Sequence, residues 1–581
     1  MRRLASAVPL LSTLAMAMPS PADPFGGLYG RSKSMDASAG QCINSNGSSV
    51  QGYSPALYQE ATRPQIHFSP TVNFMNDPNG LVYSNGTWHL FYQYNPTEAV
   101  AGNQHWGHAT SKDLYTWENQ PIAIAPENEG EGIFSGSAVV DKDNTSGFFD
   151  DSVPQESRII AMYTLNTPTA QTQHIAYSSD GINFTKYPQA VIDLNQTQFR
   201  DPKVFWDENL GQWVVALALS QEFAIVFYSS PDLKTWTELS RFQSTGILGY
   251  QYECPDLFQV PVEGGPDDGK LMWVLAISIN PGAPVGGSFV QYWVGDWDGN
   301  KFTPRDGAVR TSDFSKDFYA FQTWSNTGDK TYGIAWANNW QYTNVVPTSP
   351  FRSIQSLPRE LTLKYYRTTP QFGDLILNNR PANLSSLHSK SLYKSHKACT
   401  SNKTVELQGD GAFDIHATFK LPAGANATYD TIGSLEIVAS DGKQSIKTGI
   451  QFGEPAVTFI DRSKAGPSFA RPNPFFTDKT SGIVRYQANY TDDQYVLGPL
   501  PTSAYLSTSP STDDSTLSLR AVVDRSIIEV FVNDGELAGT SVFYFDNDAV
   551  PAKVKLSIGD NKLELASLEV KSIGSTWPDC P

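Results

Sequence analysis

The stretch Ser111-Lys-Asp-Leu-Tyr-Thr-Trp117 recurs almost unchanged as Ser230-Pro-Asp-Leu-Lys-Thr-Trp236. Looser copies lie at Ser179-Asp-Gly-Ile-Asn-Phe184 and Asp296-Trp-Asp-Gly-Asn-Lys-Phe302. The closing aromatic residues are roughly 50 to 70 positions apart, a spacing that suits one four-stranded blade per copy. Ser, Asp and Gly also form turns in many other folds. The recurrence nevertheless favours a β-propeller in which each copy is a turn leading into the outer strand of a blade.

Short apolar runs dominate the chain from His67 onward. Examples are Trp88–Tyr94, Trp213–Ala218 and Leu271–Ile277, and turn residues separate such runs every ten or so positions. This rhythm predicts an all-β protein. Near the C-terminus, the run Val522–Val532 alternates strongly and precedes a Gly-containing turn. We therefore expect strands with one polar face there, arranged as a β-sandwich.

The composition is that of a globular protein. The chain has 581 residues, too many for one ordinary core, so two domains are expected. Hydrophobic residues make up 40% and charged residues 17%. The formal net charge of −17 argues against nucleic acid and against anionic membranes as partners. A neutral substrate such as a sugar is compatible with this charge, although solubility alone also explains an acidic surface.

The N-terminus has the pattern of a secretory signal. Met1-Arg2-Arg3 precedes the mostly apolar run Leu4–Met18, and small residues allow cleavage after Ala17. We expect a signal peptide over 1–17, a flexible arm over 18–60 and a secreted protein without a membrane span. Nine N-glycosylation sequons support secretion. They begin at Asn46, Asn85, Asn144, Asn183, Asn195, Asn383, Asn402, Asn426 and Asn489.

Cysteine and histidine residues give no sign of a metal site. Four cysteines are too few for a disulfide scaffold, and their pairing cannot be chosen from the sequence. His105 and His108 lack companion ligands at a suitable spacing, so no metal is expected there. Cys254 is expected to be a small buried residue.

Three acidic residues occupy short proline-containing motifs. The motifs are Asn76-Asp77-Pro78-Asn79-Gly80, Arg200-Asp201-Pro202-Lys203 and Glu253-Cys254-Pro255-Asp256. Each could be an ordinary loop, because Asn, Asp, Pro and Gly are common in turns. In a propeller, however, the innermost strands of successive blades surround one axis, so acids from three blades would converge on one funnel. Two carboxylates are the minimum for cutting a glycosidic bond.

The neighbours of the three acids suggest different roles. A tight turn before the strand Leu81-Val-Tyr83 would place Asp77 at a strand end. Arg200, if buried beside Asp201, would keep that carboxylate ionised and able to accept hydrogen bonds from sugar hydroxyls. The weakly polar neighbours of Glu253 favour a protonated carboxyl, which a general acid needs.

These motifs resemble glycoside hydrolase family 32, the β-fructofuranosidases. Six further blocks match in family order, namely Phe91–Pro96, His105–Ala109, Phe134–Ala138, Phe199–Val204, Ile279–Pro284 and Gly333–Trp340. The run Val523–Gly535 resembles the family's C-terminal signature. The resemblance covers about residues 60–575 and is closest to secreted fungal and yeast members.

The resemblance implies a five-bladed β-propeller followed by a β-sandwich. We place the propeller at 61–364, a linker at 365–386 and the sandwich at 387–581. The sandwich has no obvious acid constellation. The resemblance implies that it packs on the propeller and forms a homodimer.

By the same resemblance, Asp77 is the nucleophile, Glu253 the acid/base and Asp201 the transition-state stabiliser. The implied fructosyl pocket is lined by Asn76, Gln93, Trp106, Phe134, Ser135, Arg200 and Trp336. Trp340 is a near neighbour of Trp336 in the same block. The yeast-type motif ends in Gly where this chain has Asp256, a departure expected at the rim of the site, where it would affect leaving-group preference.

The implied activity is retaining hydrolysis of terminal β-D-fructofuranosyl residues of sucrose and short fructo-oligosaccharides, with no cofactor. Two alternatives use the same acids: a fructosyltransferase that makes fructo-oligosaccharides from sucrose, and an exo-inulinase. A binding propeller without activity would lack a catalytic acid. An unrelated inverting, arabinan-cleaving propeller would lack the sucrose-type motif blocks.

Overall fold

The chain is built almost entirely of β-strands. The computed structural model describes residues 58–367, 372–409, 411–422, 425, 427–453, 456–484 and 515–577. Within these ranges, helical structure is limited to α1 (Pro467–Ala470) and four 3-10 turns, Gln155–Ser157, Ser220–Glu222, Thr343–Val345 and Ser385–Leu387. The all-β prediction is confirmed. None of the helices described has the length and apolarity that a membrane crossing requires.

The first part of the described chain forms four sheets. A five-stranded sheet has the order β20-β1-β2-β3-β4, two four-stranded sheets have the orders β5-β6-β7-β8 and β12-β11-β10-β9, and a nine-stranded sheet contains β13–β19, β21 and β22 without β20. The strands of the first three sheets are β1 (Asn73–Ser84), β2 (Thr87–Asn95), β3 (His105–Ser111), β4 (Trp117–Ile124), β5 (Gly132–Val140), β6 (Ile159–Asn166), β7 (Gln171–Ser178), β8 (Thr185–Lys186), β9 (Phe199–Asp207), β10 (Gln212–Leu219), β11 (Ala224–Ser230) and β12 (Thr237–Gln243). The others are β13 (Tyr252–Glu263), β14 (Leu271–Ile279), β15 (Phe289–Trp297), β16 (Phe302–Pro304), β17 (Arg310–Thr311), β18 (Tyr319–Thr323), β19 (Thr331–Trp336), β20 (Phe351–Arg352), β21 (Arg359–Arg367) and β22 (Gly373–Pro381).

The four sequence repeats form the same turn at the same place. Each joins the third and fourth strands of an antiparallel series, namely β3 to β4, β7 to β8, β11 to β12 and β15 to β16. In every copy an aspartate side chain accepts two backbone N–H groups further along the turn. This Asx-type bonding explains why an Asp recurs in all four copies.

Five strands contact one another in a closed ring. β1 contacts β5, β5 contacts β9, β9 contacts β13, β13 contacts β18, and β18 contacts β1. None of these contacts is a backbone ladder between the described strands, because each of the five strands pairs with other partners. β13 and β18 are also linked through β21 and β19 of one sheet, and Val82 of β1 forms a bridge with Ser325, two residues after β18. Elsewhere in the ring, side-chain contacts join the neighbouring strands.

The second part of the chain consists of two six-stranded sheets that share one apolar core. Their orders are β23-β34-β25-β30-β31-β32 and β24-β33-β26-β27-β28-β29. The strands are β23 (His388–Ser395), β24 (Lys403–Glu406), β25 (Ala412–Leu421), β26 (Ile432–Ala439), β27 (Ser445–Gln451), β28 (Val457–Asp461), β29 (Lys479–Ile483), β30 (Ser515–Asp524), β31 (Ile527–Val532), β32 (Leu537–Val542), β33 (Pro551–Ile558) and β34 (Glu564–Ile573).

The expectation of one polar face on the run Val522–Val532 is wrong. Val523 and Val530 pack in the core between the two sheets. Val522 and Phe531 pack on the opposite side, in an apolar cluster with residues of the first part of the chain. Both faces of these strands are buried, which explains a nearly continuous apolar run.

Residues 365–386, expected as a linker, carry regular structure. β21 extends to Arg367 and pairs along its length with β22. The Gly and Pro residues that suggested a linker begin and end β22, at Gly373 and Pro381. The expected signal peptide, most of the arm, and the sequons at Asn46, Asn426 and Asn489 lie outside the described residues.

Candidate active site

One cavity collects the three acids of the proline-containing motifs. Its volume is about 280 Å³. Eight residues expected at the site line it: Asn76, Asp77, Gln93, Phe134, Ser135, Arg200, Asp201 and Glu253. Four further residues line it: Gln104, Asn280 and Tyr319, which were not foreseen, and Trp340, named above as the neighbour of Trp336. Side chains from strands far apart in the sequence thus face one space.

β-Bulges aim the polar side chains at this cavity. The pairing register shifts in each of the five ring strands. The shifts lie between Met75 and Pro78 in β1, Phe134 and Gly136 in β5, Arg200 and Lys203 in β9, Glu253 and Asp256 in β13, and Tyr319 and Gln322 in β18. A bulge adds an unpaired residue and redirects the side chains around it. Asp201, Cys254 and Ala320 also adopt left-handed backbone conformations, which non-glycine residues rarely take.

The sequence suggested that the motif Asn76–Gly80 forms a turn before a strand, but the structure shows no turn there. It lies inside β1, where the irregular pairing with β2 accommodates it. Gly80 has a φ of +53°, and a Cβ there would lie 2.6 Å from the Phe91 ring and 2.8 Å from that of Trp106. The residues that usually make a turn therefore serve here to build a bulged strand.

Asp77 is held by hydrogen bonds at the cavity wall. Ser135 Oγ donates to Oδ2 over 2.7 Å, and Asn76 Nδ2 donates to Oδ1 over 3.1 Å. Burial raises the pKa of Asp77 to about 6, the Ser135 hydrogen bond opposes this rise, and the charge of Glu253 adds to it. The carboxylate therefore has a fixed orientation and an elevated pKa.

Cys254 lies between two of the acids. Its backbone N–H donates to Asp201 Oδ2 over 2.9 Å, and its Sγ is 3.5 Å from Asp77 Oδ2 and 3.6 Å from Asp201 Oδ2. Asp77 and Asp201 are thus close enough to share one thiol neighbour. Burial raises the pKa of Asp201 to about 7, although the charge of Arg200 opposes the rise.

Glu253 has polar partners, contrary to the sequence expectation of weakly polar surroundings. Arg200 and Gln251 both donate to Oε1, over 2.9 and 3.0 Å, and the Tyr319 hydroxyl donates to Oε2. The Glu253 side chain is 15% exposed. It therefore reaches the cavity while three neighbours fix its orientation.

The tryptophans near the site fall into two groups, one that lines the cavity and one that is buried behind its wall. Trp106 and Trp336, expected to line the pocket, are fully buried and do not line the cavity. The indole N–H of Trp106 donates to the carbonyl of Phe134 over 3.0 Å, and Trp336 packs in a cluster with Phe74, Tyr319 and Cys254. Trp340, whose ring centroid is 4.8 Å from that of Trp336, lines the cavity.

The motif comparison suggested that Asp256 lies at the rim of the site, but the structure places it elsewhere. It is fully buried, and its Oδ2 is 3.0 Å from Lys203 Nζ. The register shift in β13 turns Asp256 inward, which the linear motif does not reveal.

Tyr319 and Gln251 are the contacts of Glu253 that the sequence analysis missed. Tyr319 stands in the aromatic run Phe318-Tyr-Ala-Phe321, which carries no acid or proline to draw attention. Gln251 precedes Glu253 by two residues. Gln251 lies just before β13, and in an extended chain a residue two positions away shares a face with the candidate acid. This spacing is the signal that could have identified Gln251.

Three carboxylates that line one cavity include the pair of acids that cleavage of a glycosidic bond requires. Comparison with known proteins agrees. The Glycosyl hydrolases family 32 N-terminal domain matches residues 67–371, and the Glycosyl hydrolases family 32 C terminal matches residues 383–572. The chain belongs to glycoside hydrolase family 32.

Two curated relatives and one solved structure illustrate the similarity. An invertase of Debaryomyces hansenii is 40% identical over 529 residues, which cover 88% of this chain and 94% of that protein. An extracellular exo-inulinase of Meyerozyma guilliermondii is 39% identical over 531 residues, covering 88% and 96%. The structure of a β-fructofuranosidase from Schwanniomyces occidentalis complexed with fructosyl-erythritol has a TM-score of 0.80 and 39% identity, covering 89% of this chain and 99% of that one.

Proposed function

We propose that this protein is a retaining β-fructofuranosidase that hydrolyses terminal β-D-fructofuranosyl residues of sucrose and short fructo-oligosaccharides. The observation that carries the proposal is that Asp77, Asp201 and Glu253 line one cavity. Family membership and the similarity to invertases support the choice of substrate. A cavity of about 280 Å³ is slightly below the usual range of ligand pockets, about 300–1,000 Å³.

In this mechanism Asp77 is the nucleophile. Its carboxylate attacks the anomeric carbon of fructose, and the bond from that carbon to the glycosidic oxygen breaks. The proton of the Glu253 carboxyl passes to the departing glucose oxygen, leaving a fructosyl ester on Asp77. Ser135 and Asn76 hold the attacking carboxylate in place through the hydrogen bonds described above.

The second step releases fructose with its configuration kept. The Glu253 carboxylate takes a proton from water as the water oxygen attacks the anomeric carbon, and Asp77 departs as a carboxylate. Asp201 would accept hydrogen bonds from fructose hydroxyls and stabilise the positive charge that develops on the ring. Arg200 would orient Glu253 for both proton transfers, since it donates directly to that carboxylate.

The proposed pocket for the fructosyl group follows the cavity wall. Asn76, Gln93, Phe134, Ser135 and Arg200 line it, and Phe134 and Trp340 supply aromatic surface. Trp106 and Trp336 would support this wall from behind. No cofactor takes part in the proposed steps.

We infer a five-bladed propeller for the first part of the chain. The closed ring of β1, β5, β9, β13 and β18 supports this reading, with one ring strand innermost in each blade. The nine-stranded sheet then contains two blades, β13-β14-β15-β16 and β18-β19-β21-β22, joined by the parallel pairing of β13 with β21. The propeller would reach Pro381 rather than residue 364, the linker would shorten accordingly, and a β-sandwich would follow.

We further propose a secreted protein. The N-terminal signal pattern supports this, as does the similarity to an exo-inulinase that is named as extracellular and covers 88% of this chain.

A homodimer through the sandwich domain is also proposed, and light scattering tests it. A monomer with full activity would contradict a role for the dimer in catalysis.

The proposal is tested by following products from sucrose, a short fructan and inulin over time. Hydrolysis of sucrose, with fructose released first as the β-anomer, is the expected result. Asp77→Asn should abolish turnover, and Glu253→Gln should slow it most for substrates with poor leaving groups. Full activity of Asp77→Asn would refute the assignment.

An exo-inulinase is the second candidate, because a relative of that name is 39% identical over most of the chain. A higher rate on inulin than on sucrose would favour it. Accumulation of fructo-oligosaccharides at high sucrose would instead indicate a fructosyltransferase.

A further inference from the structure

A buried ion pair lies on the two strands that carry Asp201 and Glu253. Lys203 follows Asp201 by two residues in β9, and Asp256 follows Glu253 by three residues in β13. Lys203 Nζ is 3.0 Å from Asp256 Oδ2, with the two side chains 6% and 0% exposed. Both charges are therefore held away from water, two or three residues along β9 and β13 from the acids of the site.

Thr323 of β18 completes this cluster. Its backbone N–H and its hydroxyl donate to Asp256 Oδ2 over 2.6 and 2.9 Å. Lys203 Nζ donates to the Thr323 carbonyl over 2.6 Å and is 3.0 Å from its hydroxyl oxygen. β9, β13 and β18, which each contribute a residue to the cavity, are thus joined by this cluster as well as by their contacts at the site.

The strand geometry relates this cluster to the site. Side chains alternate along a regular strand, but the register of β9 shifts between Arg200 and Lys203, and the extra residue returns Lys203 to the side of Arg200. Glu253 and Asp256 are three residues apart and would face opposite sides of a regular strand. The register shift between them supplies an extra residue, which returns Asp256 to the side of Glu253.

Side-chain contacts have to fix β9 against β13. Among the described strands, no backbone ladder joins these two, because β9 pairs with β10 whereas β13 pairs with β14 and β21. Two of the links between them, Arg200 to Glu253 and Cys254 to Asp201, use groups that face the substrate. Lys203 and Asp256 form a third link, and neither residue lines the cavity.

Stability alone is a poor reason for such a pair. The cost of taking two charges out of water can exceed their attraction, and apolar residues of similar volume often serve as well or better. In some proteins, buried charged or polar groups instead specify how elements are placed relative to one another.

We propose that Lys203 and Asp256 are positioning residues, whose ion pair holds β9 against β13 so that Asp201 and Glu253 face one fructosyl unit in the geometry that hydrolysis needs. The inference rests on the proposed function.

The test uses Asp256→Asn, Lys203→Met and the double variant of the full-length protein. Substrates are sucrose and p-nitrophenyl β-D-fructofuranoside, whose leaving group departs with little help from an acid. Because small displacements of a catalytic group cost large factors in rate, Asp256→Asn should lose about 10- to 100-fold in kcat on sucrose, with little change in KM. The loss on the aryl substrate should be smaller. The double variant should be no worse than the poorer single variant, since the pair acts as a unit.

A matched control is Asp374→Asn, which breaks another buried pair, that with Arg310, away from the cavity. It should lower the melting temperature without changing the ratio of the rates on the two substrates. If Asp256→Asn fails to fold, Thr323→Val removes only a hydroxyl of the cluster and should show the same dependence on leaving group at a smaller size.

Four results would overturn the inference: wild-type kcat in folded Asp256→Asn, equal losses on both substrates, losses that multiply in the double variant, or unchanged rates in Thr323→Val when Asp256→Asn cannot be folded. Failure of the wild-type protein to hydrolyse sucrose would instead refute the proposed function.

Discussion

Arg200 forms its close ion pair with Glu253 and not with its sequence neighbour Asp201. The guanidinium Nη2 is 2.9 Å from Glu253 Oε1, whereas Nε is 4.0 Å from Asp201 Oδ2. The sequence places Arg200 beside Asp201 and suggests that the arginine keeps that acid ionised. In the structure, the pKa of Asp201 is raised to about 7 by burial, against the opposing charge of Arg200. Arg200 thus serves mainly to orient Glu253, across two different strands.

Arg200→Gln should therefore impair catalysis strongly. The variant removes the charged donor to Glu253 and leaves the acids of the cavity without their nearest cation, so we expect a fall in kcat/KM on sucrose of about 100- to 1,000-fold, as for other lost electrostatic groups. Steady-state kinetics measure this fall. Arg241→Gln breaks an exposed pair with Glu238 and should retain wild-type activity. Undiminished turnover in Arg200→Gln would show that Glu253 needs no such partner.

The sequence located the acids but not the way in which they are presented. The motifs at Asp77, Asp201 and Glu253 were identified because each acid precedes or nearly precedes a proline, and all three line one cavity. Their turn-like composition suggested loops, whereas each lies in a bulged strand. A bulge and a turn use the same residue types, so composition alone cannot separate them.

Contacts between distant strands were the other part that the sequence could not provide. Tyr319 lies 66 residues after Glu253 and donates to it, and Asp256 meets Lys203 across 53 positions. Periodicity predicts which residues share a face of one strand, but it does not predict which strands meet. The Asx turns were more accessible, because their hydrogen bonds join residues two or three positions apart.

Ser135→Ala should shift the acid limb of the kcat/KM profile, the range in which activity falls as the pH decreases. Burial raises the pKa of Asp77 to about 6, and the Ser135 hydrogen bond holds it below the value that burial alone would produce. Removing the hydroxyl should raise the pKa of Asp77, so the nucleophile would be protonated over a wider range. A hydrogen bond to a charged group is worth about 1.5–3 kcal/mol, so a rise of about one to two pH units in the acid limb of kcat/KM is expected.

The matched variant for this experiment is Ser135→Thr, which retains a hydroxyl donor and should keep the acid limb at its wild-type pH. Profiles of kcat/KM on sucrose between pH 4 and pH 8 report the free enzyme. A shift of the limb to lower pH in Ser135→Ala would contradict the assignment of Asp77 as the group that sets it. An unchanged limb would assign it to another group, such as Asp201, whose pKa burial raises to about 7.

His67 should make the stability of the protein fall in alkali. Nδ1 is 2.8 Å from Asp524 Oδ2, and Nε2 is 3.2 Å from Glu529 Oε1, so the ring joins the two parts of the chain. Burial alone would lower the pKa of His67, but hydrogen bonds and charges of the two acids raise it from 6.5 to about 9. A raised folded-state pKa stabilises the protein below about pH 6.5, and this contribution is lost as the pH rises through 9.

The expected loss between pH 6.5 and pH 9 is up to about 3 kcal/mol. Melting temperatures across this range should decline, and His67→Gln should decline less steeply because it has no proton to lose. The exposed His396→Gln variant serves as the control and should follow the wild-type slope. Parallel slopes for His67→Gln and wild type would mean that the ring carries no excess proton in the folded protein.

Trp340 and Trp336 should give opposite patterns when each is replaced by alanine. Their rings are neighbours, yet only Trp340 lines the cavity, while Trp336 is fully buried beneath it. Trp340→Ala removes an aromatic surface at the sugar site, worth about 1.5 kcal/mol, so KM on sucrose should rise about tenfold with the fold intact. Trp336→Ala leaves a hole under Tyr319 and Cys254 and should cost about 3–5 kcal/mol of stability. Kinetics and thermal melts on both variants separate the two roles. A large rise in KM for a stable Trp336→Ala, with none for Trp340→Ala, would restore Trp336 as the residue that faces the sugar.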